Sequence, residues 1–296
     1  ERGRQNGRLR QRRDRRREPR LGALDDPQDL AVRVRVEPGL ATGRRRRGGI
    51  AVHGAIGHDR DVLAAADLDA VSGGHPVLLT RIDGHATWAN SRALQLAGIT
   101  AATRDPVGGR ITRLASGAPA GVLIDDAVDL VARAVPPLTM TARVARLRRA
   151  LAQYARWGLT EVHDAGVDEA TLAAYRRLVQ AGALPVRVYA MAAADAATLD
   201  DVLPRGPVIG AAGGTFTLRC VKIVDDGALG SRGARLAVAY SDDAGARGFD
   251  LAPGDSLDRL IARARAGGFQ VAVHAIGDAA TTEVLNAMGR AGTPAA

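Results

Sequence analysis

Apolar positions recur at helical spacing from residue 139 onward, where Val144, Leu147, Leu151 and Tyr154 share one face and Gly158 stands just past the end. Shorter apolar runs follow. Leu159 to His163 and Pro185 to Tyr189 read as strands, with Leu172, Tyr175 and Leu178 marking a helix between them and Gly182 as its stop. The alternation continues through a short helix over Asp195 to Leu203 and a strand over Thr217 to Val224. A helix entered near Asp255-Ser256 and marked by Leu257, Leu260 and Ile261, a strand over Phe269 to His274, and a helix from about Asp278 to Met288 complete it. Strand alternating with helix predicts a parallel sheet, because parallel neighbours need a crossover connection that a hairpin cannot provide. Four such strands fit an open sheet or part of an eight-stranded barrel.

The stretch before this reads differently. From about residue 67 the chain becomes regular, and Pro76 to Leu79 predicts a short strand. Asn90 is placed to cap a helix that runs to Leu96 and ends at Gly98. Residues 108–124 predict a hairpin turning around Ser116-Gly117-Ala118-Pro119, followed by a helical stretch toward Pro136-Pro137. Residues 70–135 are therefore expected to form a small α+β insertion.

Residues 1–50 stand apart. They hold 16 arginines and seven acidic residues, no aromatic residue, and little periodicity beyond the alternation Val32-Arg33-Val34-Arg35-Val36. A solvated, mostly disordered segment is expected there. The whole chain is +9, and this segment accounts for all of it, since the remaining residues balance at 25 basic and 25 acidic. A polyanion could meet the arginines, but base stacking has no aromatic platform, so nucleic acid is a disfavoured partner. The 46% hydrophobic content suffices for a core. No uninterrupted apolar stretch predicts a membrane span, and the first residues lack the apolar core of a signal peptide. One cysteine, Cys220, forms no internal disulfide, and the cytoplasm is the default compartment.

Polar residues gather where the predicted strands end. His163-Asp164, Asp225-Asp226 and His274 with Asp278 all fall at or just beyond C-terminal strand ends, the rim where barrels place their chemistry. Lys222 is the only lysine beside 40 arginines. A buried amine can lose its proton and act as a nucleophile or take up carbon dioxide, which a guanidinium cannot do. A lysine snorkelling from a strand end explains it equally on composition alone. His274 suits a metal ligand or base, though a lone histidine in such a place is more often a hydrogen-bonded core residue. Asp278 suits a helix cap. His85, in the turn-like Asp83-Gly84-His85, is a candidate substrate contact. No phosphate-binding glycine loop and no Gly-x-Ser-x-Gly elbow is present.

Three blocks carry a family resemblance: residues 75–94 (His-Pro-Val-Leu-Leu-Thr-Arg-Ile-Asp-Gly-His-Ala-Thr-Trp-Ala-Asn-Ser-Arg-Ala-Leu), 221–234 (Val-Lys-Ile-Val-Asp-Asp-Gly-Ala-Leu-Gly-Ser-Arg-Gly-Ala) and 271–278 (Val-Ala-Val-His-Ala-Ile-Gly-Asp). Residues 121–125 (Gly-Val-Leu-Ile-Asp) and 158–166 (Gly-Leu-Thr-Glu-Val-His-Asp-Ala-Gly) fit in the same order. Over residues 67–290 the chain resembles the amidohydrolase family 3 branch of the metal-dependent hydrolases. The resemblance implies an α/β fold, here an incomplete TIM (β/α) barrel carrying the small α+β insertion, over residues 51–296. It implies one or two divalent metal ions, zinc first, and hydrolysis of a small-molecule amide at a non-peptide C–N bond by metal-activated water. Lys222 then matches the carboxylated lysine of the metal site and His274 a second ligand. Asp83 and His85 lie in the insertion over the substrate pocket, and His163, Asp164, Asp226 and Asp278 stand behind the ligands.

The sequence departs from that pattern in having no His-x-His. His53 and His58 are the nearest approach, and no later histidine or final-strand aspartate follows His274. The expectation is a fragment or frameshifted product that binds metal weakly and is inactive as it stands. Unpaired sheet edges in such a barrel would favour a homo-oligomer. Two rival functions remain at this point, an Arg-rich polyanion binder on a degenerate barrel and a Schiff-base lyase using Lys222.

Overall fold

The computed structural model describes residues 63–292 together with Arg35–Val36. The remainder of the Arg-rich segment, with His53 and His58, lies outside the described residues. Arg35–Val36 forms β1, a two-residue strand within the segment expected to be unstructured.

Next along the chain come α1 (Ala65–Ser72), β2 (Leu78–Arg81), β3 (Ala86–Ala89), α2 (Ser91–Leu96), β4 (Gly109–Arg113), β5 (Pro119–Asp125) and α3 (Val128–Ala132). The strands form a sheet in the order β1-β2-β3-β5-β4, antiparallel except where β1 joins β2. Both faces are covered. Leu78, Leu94, Leu123 and Val131 pack on one side, and Leu68, Trp88, Val122 and Ile124 on the other. All four residues of β3 are buried as a result, which is why this strand shows no alternation in the sequence and was not foreseen. Helix α1 was equally silent, since only Ala65 and Leu68 of its eight residues are buried.

Asn90 joins the pieces of this unit. Its side-chain oxygen caps α2 through the Ala93 N–H (2.9 Å) and also accepts from the Val77 N–H (3.0 Å). Its amide nitrogen donates to the His75 carbonyl (2.9 Å) and Ser72 Oγ (3.2 Å). The side chain is fully buried and makes all four of these bonds, so the foreseen cap also tethers the start of α2 to the connection between α1 and β2.

The second unit comprises α4 (Met140–Arg156), β6 (Glu161–Val167), α5 (Glu169–Gln180), β7 (Arg187–Ala193), α6 (Ala196–Val202), β8 (Val208–Gly210), the short turn α7 (Ala211–Gly214), β9 (Phe216–Val224), α8 (Ser256–Ala266), β10 (Gln270–His274) and α9 (Asp278–Arg290). Its strands run β10-β9-β7-β6, all parallel, with β8 attached to β9 by an antiparallel pair at Val208 and Leu218. The parallel order matches the expectation from strand–helix alternation. Alternate residues such as Val188, Ala190, Leu218, Val221 and Ile223 face the helices and bury Leu172, Leu178, Leu199 and Ile261 in one core. The other face carries polar residues, with Tyr189 beside His163, Ala272 beside Lys222 and His274 beside Val224.

Strand β6 continues beyond the predicted end. A bulge between Ala165 and Val167 carries it onward, and Gly166 takes the positive φ (82°) there. His163 and Asp164 consequently lie in mid-strand and not at the rim. Among the described residues no helix is long and apolar enough to cross a membrane.

Replacing Asn90 by alanine removes the cap and strands buried backbone groups. Urea unfolding should show a loss of about 2–4 kcal/mol for Asn90→Ala, against under about 0.5 kcal/mol for the neighbouring exposed Ser91→Ala.

Candidate active site

The polar rim assembles at the C-terminal ends of β9 and β10. Lys222 sits two residues before the end of β9, its amine donating to the Ile223 carbonyl (3.1 Å). Among the described residues no carboxylate pairs with it. Burial pulls the amine below its ordinary value. His274 closes β10 on the same face, its Nε2 buried and without a hydrogen-bond partner. Burial, then the neighbouring His85 and Lys222, push the imidazole below its ordinary value. Two groups able to ligate or accept a proton thus share one sheet face, both biased toward their uncharged forms.

Asp225 and Asp226 follow β9 and are both fully buried. Asp226 Oδ2 accepts from the N–H groups of Arg235 (2.8 Å) and Gly277 (2.8 Å), and Oδ1 from Ile276 (2.9 Å). A Cβ on Gly277 would lie 1.9 Å from the Arg235 carbonyl, so this close approach needs glycine. Asp226 Oδ1 also lies 3.7 Å from His274 Nε2. Asp225 pairs with Arg235 Nη2 (2.7 Å). Burial nevertheless holds the Asp225 carboxyl above its ordinary value, against the pull of Arg235.

The first unit contributes His85. Its Nδ1 lies 2.7 Å from Oδ1 of Asp125, and its ring centroid lies 4.9 Å from that of His274. Arg81 and Arg110 reach across to Ser231 in the loop after β9, binding Oγ (3.2 Å) and the carbonyl (3.3 Å). The insertion therefore lies directly over the rim. Asp83 has a local task, since its Oδ1 accepts from Arg81 Nε (2.7 Å) and from the His85 N–H (3.1 Å) and so closes the turn that presents His85.

Lys222, His274, His85 and Asp226 are brought together. His163 and Asp164 are not. His163 stacks on Tyr189 (centroids 4.9 Å apart) farther down the open face, and Asp164 accepts from Tyr175 on the helical side (2.7 Å). Asp278 is the first residue of α9, with Gly277 at the cap. Its Oδ1 accepts from the N–H groups of Ala279 and Ala237 (both 2.9 Å), which serves the helix start and pins the 237 region. Asp125 and Arg235 were not singled out from the sequence. The available signal for Asp125 was its place at the end of the Gly121–Asp125 block.

Lys222 and His274 are chemically suited to a divalent metal. Yet among the described residues no group of three or more His, Cys, Asp or Glu could hold an ion. A zinc site draws on about three protein ligands, so these two residues are part of a donor set and not a closed one.

A family model described as Amidohydrolase family matches residues 44–296. The amidohydrolase YtcJ of Bacillus subtilis (strain 168) is 38% identical over 235 residues, which are 77% of this chain and 43% of that protein. The N-substituted formamide deformylase of Arthrobacter pascens is 37% identical over 123 residues, 40% of this chain and 23% of that protein. Among solved structures, an uncharacterized metal-dependent hydrolase from Pyrococcus horikoshii OT3 superposes with a TM-score of 0.60 at 27% identity, covering 78% of this chain and 45% of that one. The chain spans less than half the length of each of these relatives.

Asp226→Asn leaves one acceptor oxygen for three N–H groups and should cost about 2–3 kcal/mol in urea unfolding. Lys222 supplies a pH signature. Its native value lies below the unfolded value near 10.5, so the unfolded chain binds a proton that the native chain has lost. Stability of the wild type relative to Lys222→Met should therefore rise as pH climbs toward that value, as unfolding curves across the alkaline range would register.

Proposed function

From the premise that this chain belongs to the amidohydrolase family over residues 44–296, we propose that it acts in metal-dependent hydrolysis of a small-molecule amide at a C–N bond other than a peptide bond. The observation that carries this reading is the buried Nε2 of His274, without a hydrogen-bond partner, on the same sheet face as the amine of Lys222, which among the described residues has no carboxylate beside it. Such a nitrogen costs free energy unless a ligand meets it.

Lys222 and His274 would hold the ion, zinc first among candidates. When bound, it would supply an electrophile for the amide carbonyl and an activated water. Lys222 suits the role through its depressed amine, which can form an N–C bond to carbon dioxide, release a proton and become a carboxylate. Asp226 would keep the His274 region in register, and the His85 turn would close over the substrate. We assign the parallel unit to an arc of a (β/α) barrel, with helices outside and the polar face inward. The unit around β2 to β5 would be its insertion. A homo-oligomer is the assembly we propose, with β6 and β10 as the edge strands of the parallel sheet among the described residues.

The same amine could instead form an imine with a carbonyl substrate, as in a Schiff-base lyase. Borohydride trapping separates the readings, because only the lyase leaves a reduced adduct on Lys222.

Zinc titration in bicarbonate buffer should reveal a weak site, with affinity reduced at least about tenfold in both His274→Gln and Lys222→Met. Equal affinity in all three proteins would overturn the ligand assignment. Formate release from N-butylformamide tests the hydrolysis itself.

A further inference from the structure

Asp125 has no part in the reading above, yet three features mark it. Its backbone is left-handed (φ 47°), a conformation shared outside glycine only with Ala212 and Arg232 among the described residues. Its side chain is 1% exposed, with Oδ1 on His85 Nδ1 at 2.7 Å and Oδ2 buried without a partner. A Cβ placed on Gly227 or Gly233 would lie 2.3 Å from that second oxygen. The carboxylate is thus clamped between the His85 ring and the bare backbone of the loop after β9. A left-handed non-glycine residue and an unpaired buried oxygen each carry a cost, and the one strong contact obtained in return is with His85.

The imidazole ring sets the consequence. With Nδ1 turned to Asp125, Nε2 lies on the opposite edge of the ring, and that ring stands against His274. A carboxylate accepts and does not donate, so the facing nitrogen is Nδ1–H, and in the neutral ring this leaves the lone pair on Nε2. We propose that Asp125 is a positioning residue that holds His85 with its proton on Nδ1, so that Nε2 serves as a hydrogen-bond acceptor for the N–H of a secondary amide substrate. This rests on the hydrolase reading and narrows it from amides in general to those that carry an N–H. Asp83 assists by closing the turn from which His85 projects.

The test uses the chain with 15N-labelled histidine and long-range 1H–15N correlation spectra. The wild type should show His85 with protonated Nδ1 and unprotonated Nε2. Asp125→Gly accommodates the left-handed backbone and removes the carboxylate, and in it the Nδ1-protonated population should fall. A wild-type His85 protonated on Nε2 overturns the proposal without recourse to any variant, and so does an unchanged tautomer in folded Asp125→Gly.

The substrate half is read by titrating N-butylformamide and N-butyl-N-methylformamide while following the His85 Nε2 resonance. The secondary amide should bind with a Kd at least about tenfold lower and should shift Nε2 selectively, in line with one buried hydrogen bond. Equal affinities and equal shifts would overturn the acceptor role. Neither readout depends on metal uptake or turnover, so failure of the hydrolase reading would appear in the zinc titration and formate assay instead.

Discussion

The carboxylate of Asp226 gathers three backbone N–H groups from two separate stretches of chain, Arg235 in the loop after β9 and Ile276 and Gly277 in the turn between β10 and α9. Those two stretches frame the candidate site between the strand ends of β9 and β10 and the insertion. The first brings Gly227, Ser231 and Gly233 against the insertion, and the second follows directly on His274. Three charge-assisted bonds to one fully buried carboxylate offset the cost of taking its charge out of water. Arg235 is held twice, by its N–H on Asp226 and by its guanidinium on Asp225. The rim is therefore tied together by backbone hydrogen bonding to one carboxylate.

The parallel sheet divides its residues by face. Its helical side is a continuous apolar core, and its other side carries Lys222, His274, Tyr189 and His163. This division explains why the sequence was informative where it was. The helices α4, α5 and α8 have one apolar face each, and strands β7 and β9 alternate, so their order and parallel pairing were legible. Strand β3 was hidden because both of its faces are covered, and β6 runs past the expected end at His163 through the bulge between Ala165 and Val167. His163 and Asp164 were misplaced for that reason alone.

The candidate site was legible in chemistry more than in contacts. A sole lysine among arginines and a histidine ending an apolar run both fall at the rim. The partnership of His85 with Asp125 was not readable, because it joins residues 40 apart through a turn and a left-handed strand end. No local spacing rule reports such a pair. The helix-capping role of Asp278 was close, but the cap position falls to Gly277, whose missing Cβ lets α9 begin against the Arg235 backbone.

The clamp around Asp125 also orders the sequence changes open to this protein. A side chain at position 227 or 233 collides with the carboxylate and also crowds the backbone of the other glycine. Drift at the two glycines is blocked as long as the aspartate stays. Loss of the aspartate would not end that block, because a Cβ on Gly227 would still lie 2.9 Å from the Gly233 Cα and one on Gly233 3.1 Å from the Gly227 Cα. The loop is thus barred twice from gaining a side chain here, once by the carboxylate and once by its own folded-back backbone.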